Sequence, residues 1–145
     1  MKYYTTEIFL KHKIDEVLIK HYTEDWFQTI KFHYKGQEKI NQTLQKNKNI
    51  YNKEFLMNNL TLGFWTGLFH NYYYKILWEK DDLIKEICPY LTNKERDLKS
   101  IFESLDSIRN FRNKVFHFNS IQNINLDELD KTLNKITWNF RIKYK

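Results

Sequence analysis

Arg109, Arg112, Asn113 and His117 fall within nine residues, and their types suit the handling of an anionic group. Arginine offers directed N–H donors to a carboxylate or a phosphate, and histidine exchanges protons near neutral pH. The spacing is helical: Asn113 and His117 are four apart and become neighbours on a continuous helix. Arg112 and His117 are five apart and diverge by roughly 140° around the axis. They therefore do not contact each other directly on a continuous helix; such a pair can grip different atoms of one extended substrate, or converge where the helix loosens near Phe116.

The helix that must carry them has an anomaly. Leu98, Ile101, Phe102, Leu105, Ile108 and Val115 fall in one sector roughly 140° wide. Arg109 and Arg112 project into that sector, and Asn113 lies just beside it. A charge on a core-facing stripe is costly unless it is paired or faces a cleft. This end of the helix must therefore border a carboxylate, a phosphate or a water-filled groove. A structural ion pair satisfies that need as well as a substrate does, with Glu103, Asp106, Asp127, Glu128 or Asp130 as the partner. The charge pattern alone leaves both readings open, and a lone histidine such as His117 is more often structural than catalytic.

Five or six helical segments are expected along the chain. The first covers residues 6–21, with Ile8, Phe9, Leu10, Ile14, Val17 and Leu18 at mostly helical spacing. Thr23, Glu24 and Asp25 read as the cap of a short second helix through Trp26, Phe27 and Ile30. A polar third helix is expected over 37–45, followed by a loop at Lys46 to Asn49. A fourth spans 61–79 behind Thr61, with Gly63 and Gly67 four apart on one face. That spacing predicts close approach by another helix, or by a second copy of the chain, because no side chain intervenes. Cys88-Pro89-Tyr90 breaks the pattern, and Thr92 with Glu95 forms a capping box for a fifth helix running from Asn93 toward Phe116. After a loop at 121–125, a last helix covers 126–140, with Leu126, Leu129, Leu133, Ile136 and Phe140 on one stripe.

The expected fold class is all-α: a compact bundle of five or six helices forming a single domain over 1–145. Three Gly and one Pro are too few for a turn-rich β fold. A single cysteine, Cys88, forms no internal disulfide and reads as a small buried residue. The first residues lack an apolar signal core, and residues 60–78 are too polar to face lipid, so a soluble cytoplasmic protein is expected. The balance of 24 Lys+Arg against 18 Asp+Glu, net +6, favours polyanionic partners. His12, His21, His33 and His70 show no metal-ligand spacing with Cys or carboxylates, and neither a Gly-rich phosphate loop nor a nucleophile elbow occurs. No cofactor is expected.

Arg-x-x-x-x-His with Asn directly after the Arg, at the end of a long helix, resembles the signature of the HEPN superfamily. Ile108 to His117 is most similar to its Abi-like (abortive infection) branch, which also has an upstream block like Leu60-Thr61-Leu62-Gly63-Phe64-Trp65-Thr66-Gly67-Leu68-Phe69, then Leu77-Trp78. The resemblance covers about residues 39–121. It departs from the family where a second His and an acidic residue commonly follow the motif: Phe118 and Asn119 stand there.

The resemblance implies a HEPN-like fold and a metal-independent endoribonuclease, acting as a toxin or antiphage effector, with an antitoxin protein as a partner. Attack of a ribose 2′-hydroxyl on the adjacent phosphate needs proton transfer, which falls to His117. Arg112 stabilises the charge that develops on phosphorus-bound oxygen. Asn113 orients His117 or donates to a phosphate oxygen, and Arg109 holds a neighbouring phosphate. One motif brings one His, so a homodimer with two motifs facing one cleft is expected. The alternative is a catalytically inactive HEPN-like domain that binds RNA or protein.

Overall fold

The computed structural model describes residues 2–80, 83–89, 91 and 97–116, the first five and last six of these as backbone. Helix α1, Lys2–His21, buries Leu10, Ile14, Val17 and Leu18, an i, i+4, i+7, i+8 stripe. Helix α2 is a single turn, Trp26–Thr29. Asp25 occupies its cap position but makes no capping bond, because its carboxylate accepts from the Tyr51 hydroxyl at 3.3 Å. Burial of Trp26 and Phe27 drives this turn: the rings stack at 3.9 Å, and Trp26 Nε1 donates to Asp15 at 2.7 Å.

Helix α3, Tyr34–Gln45, starts three residues ahead of the expected Gln37 because His33 caps it through Nδ1, which accepts from the Lys35 amide at 3.2 Å. It ends in a turn where Lys48 and Asn49 take φ of 56° and 60°. Helix α4, Lys53–Asn59, had no sequence expectation. Asn52 caps it at 3.0 Å from the Phe55 amide, and it buries Leu56 and Met57.

The expected helix over 61–79 is broken. Helix α5 spans only Leu62–Gly67; Thr61 precedes it in extended conformation without a side-chain cap bond. Three tight turns follow, with the amides of Leu68, Phe69 and His70 bonding three residues back. Asn71–Tyr73 is then a 3₁₀ turn and Tyr74–Trp78 a π-helical turn closed by Glu79 N–H to Tyr74 O at 2.8 Å. The cause is the burial of two large rings. In a straight helix Phe69 and Trp78 would be separated by about 13.5 Å of rise. Here their rings stack at 4.9 Å and 9°, and Trp78 Nε1 donates to the Leu68 carbonyl at 2.8 Å.

Helix α6, Leu83–Ile87, packs on α1, where Glu86 accepts from Lys20 at 2.8 Å and meets His21 at 2.6 Å. Cys88, just beyond it, is buried. Helix α7, Leu98–Phe116, starts at Asp97, whose carboxylate accepts from the Ser100 amide at 3.2 Å; the earlier start at Asn93 and its Thr92–Glu95 box lie outside the described residues. Ile101, Leu105 and Ile108 are buried and α7 packs on α5, as the stripe requires. Residues 117–145, with the expected final loop and helix, also lie outside the described residues.

The described residues thus form an all-α helical bundle, in shorter pieces than the sequence suggests. Its centre is an aromatic cluster of Trp26, Phe27, Phe32, Phe64, Trp65 and Tyr73. Among the described residues no helix is long and apolar enough to cross a membrane.

Candidate functional site

The backbone of α7 remains helical through Arg112 and Asn113 to Phe116. The side chains of Arg112 and Asn113, and all of His117, lie outside the described residues, as do Phe118 and Asn119. Arg109, one turn earlier, is fully placed. Its Nε and Nη2 donate to one oxygen of Asp106 at 3.1 and 2.8 Å, an i, i+3 pair about one-third exposed on each side. Asn110 reaches the other Asp106 oxygen at 3.4 Å. Asp106 is one of the carboxylates that the sequence offers as a structural partner. The pair uses only two of the five guanidinium N–H groups.

Arg109 also borders a cleft of about 430 Å³ between α3, α5, α7 and the turn at His70 to Tyr73. The two glycines of α5 face this space, and they behave differently. A Cβ on Gly63 would lie 3.5 Å from both Arg109 Cδ and Lys39 Nζ. The bare backbone there lets a side chain from α7 and one from α3 converge across α5. A Cβ on Gly67 would meet nothing within 4 Å. The expectation of close helix approach therefore holds at Gly63 and fails at Gly67, which is part of the open cleft wall.

Lys39 is the electrostatic centre of the cleft. Its side chain is solvent-exposed overall, yet partial burial of the ammonium lowers its pKa, and the charges of Arg109 and Lys35 lower it further. Among the described residues no carboxylate bonds it. The cleft lining holds three cations, Lys35, Lys39 and Arg109, against one carboxylate, Asp106, which Arg109 already engages. An anion entering here would relieve repulsion that the fold leaves in place.

Two histidines share the lining. His33 Nδ1 accepts from the Lys35 amide and His70 Nδ1 from the Tyr72 amide at 3.1 Å. In the neutral ring, that bond assigns the proton to Nε2 and leaves it as a donor. His33 stands 4.5 Å from the Tyr34 ring and 4.9 Å, edge to face, from Tyr72. His70 meets Phe102 edge-on at 5.6 Å.

Sequence reasoning placed Arg109 beside a polar space but missed His33, Lys35, Lys39 and His70. Lys35 and Lys39, one turn apart, were the only local signal, since they give α3 a basic face. The rest is separated from α7 by long stretches of chain. Among the described residues, no group of three His, Cys, Asp or Glu is placed to hold a metal ion. No protein-family model, curated protein or solved structure matches the chain.

Proposed function

We propose that this protein is a metal-independent endoribonuclease of the HEPN type, which holds an RNA strand on the cationic cleft and cuts it at the Arg112–His117 motif. The observation that carries the reading is the convergence of Lys39 and Arg109 over Gly63, with Arg109 one helical turn before Arg112 on α7. The three residues from Arg109 to Arg112 rise about 4.5 Å, so a strand whose phosphate rests at Arg109 passes along the helix toward the motif. There a ribose 2′-oxygen attacks the neighbouring phosphorus and the P–O5′ bond breaks. The products are a 2′,3′-cyclic phosphate and a 5′-hydroxyl. His117 carries one proton, Arg112 neutralises the developing charge, and Asn113 orients His117. A second His117, from a second copy, serves the other proton transfer in a homodimer. The proposed setting is cytoplasmic, as a toxin or antiphage effector held in check by an antitoxin protein.

Incubation of the purified protein with single-stranded RNA in EDTA tests the reading. Cleavage is expected, with Arg112→Ala and His117→Ala each reducing it at least about 100-fold while the circular dichroism spectrum is retained. Failure of the wild type to cut, or normal cutting by both variants, refutes it. A strictly monomeric protein that cuts refutes the dimer.

Phe118 and Asn119, standing where relatives carry a second His and an acidic residue, favour a second reading: an inactive HEPN-like domain that binds RNA or protein. It predicts salt-dependent RNA binding without cleavage, unchanged by His117→Ala.

A further inference from the structure

We propose that the cleft between α3, α5 and α7 is a binding subsite for one nucleotide unit, its phosphate between Lys39 and Arg109 and its base against the aromatic wall of His33 and Tyr72. The proposal rests on the cleft as an RNA-holding surface and not on cutting: it needs neither His117 nor a chemical step.

Size, charge and wall chemistry agree. A space of about 430 Å³ lies in the range of small-ligand sites, about 300–1,000 Å³. An inorganic anion alone would leave most of it unfilled. Lys39 Nζ and the Arg109 stem flank the same bare Gly63 backbone, so a tetrahedral dianion can reach both cations at once. Asp106 restrains Arg109 from one side and leaves its other N–H groups for a ligand.

Part of the same lining is aromatic. Tyr72 and His33 pack edge to face, and Tyr34, 69% exposed, extends that wall outward beside His33. Partly exposed rings beside a cationic pair suit a base joined to a phosphate, and such stacking tolerates any base. An acidic peptide would use the cations but would leave the aromatic wall unused. Gly67 completes the shape, since its missing side chain is what keeps the wall of α5 clear.

The unit is either a free nucleotide or one residue of a single strand. The 145-residue chain is titrated calorimetrically with inorganic phosphate, adenosine, adenosine monophosphate and a five-nucleotide oligoadenylate. Adenosine monophosphate is expected to saturate, with phosphate and adenosine each weaker by about tenfold or more. An oligonucleotide tighter than the monophosphate assigns a strand as the natural ligand; equal affinity assigns the free nucleotide.

Gly67→Trp fills the cleft from a position with open space and should remove binding while the thermal midpoint is kept. Lys39→Glu should remove it as well, and Lys39→Arg should retain it. A folded Gly67→Trp or Lys39→Glu protein that binds like the wild type overturns the proposal. So does phosphate binding as tightly as the monophosphate, or no binding of either nucleotide ligand at millimolar concentration. RNA cleavage by Gly67→Trp that persists after nucleotide binding is lost leaves the nuclease intact and assigns the subsite to a free nucleotide. Nucleotide binding by a wild type that cuts no RNA supports the subsite and refutes the nuclease.

Discussion

Gly36→Ala should destabilise this protein even though it replaces a glycine in the body of a helix. In a free helix the change would contribute about 1 kcal/mol in favour of folding. In α3 the added Cβ would lie 3.0 Å from the Tyr73 hydroxyl and 3.8 Å from Phe32. Tyr73 is 4% exposed, packs edge-on against Phe32 at 6.4 Å, and its hydroxyl accepts the His33 amide at 3.0 Å. Moving that hydroxyl strands the amide that starts α3. An overpacked methyl costs about 1–3 kcal/mol, and an unsatisfied amide costs a similar amount. After the helical gain is set against these, a net loss of about 1–5 kcal/mol is expected, or about 2–20 °C in thermal midpoint. Gly67→Ala should go the other way, by up to about 1 kcal/mol, since its Cβ meets nothing. Urea unfolding, followed by circular dichroism, measures both. In a Tyr73→Phe background the hydroxyl is gone, and Gly36→Ala should then cost nothing or stabilise. A stabilising Gly36→Ala in the parent, or a cost unchanged by Tyr73→Phe, would refute the packing argument.

Burial alone would raise the Glu86 carboxyl, but hydrogen bonds and charge from Lys20 and His21 outweigh it and hold it below its ordinary 4.5. Its contribution is therefore present above pH 4.5 and lost as pH falls through the folded-state value. Glu86→Gln should be less stable than wild type near neutrality, with the gap closing in acid denaturation profiles. Burial, then the nearby Asp25 carboxylate, pushes the Tyr51 hydroxyl up to about 12. The unfolded tyrosine ionises near 10, so stability should fall between about pH 10 and 12, and Tyr51→Phe should blunt that fall in pH-dependent unfolding. Trp78→Phe leaves the buried Leu68 carbonyl without its 2.8 Å donor, whereas Trp65 Nε1 has no partner among the described residues to lose. Trp78→Phe should therefore cost more than Trp65→Phe by about 1 kcal/mol or more, measured as a difference in unfolding free energy.

The sequence by itself determined what short-range periodicity controls. The all-α class, the buried face of α1 and the Ile101–Leu105–Ile108 stripe all arise from side chains three or four apart, whose directions the helix geometry dictates. Arg109 belongs here too. Its placement on that stripe demanded a polar neighbour, and Asp106, three residues away, is one. Only the tertiary structure decided the rest. The apolar spacing over 61–79 suits a continuous helix, yet stacking Phe69 on Trp78 needs it broken, and burial of two large rings outweighs the lost helical geometry. The same packing of α5 between α3 and α7 brings Lys39 to Arg109 and sets His33 and His70 around one cleft. Residues separated by up to seventy-six positions (His33 to Arg109) share that space, and no spacing rule along a chain carries information about a meeting that depends on where three helices cross.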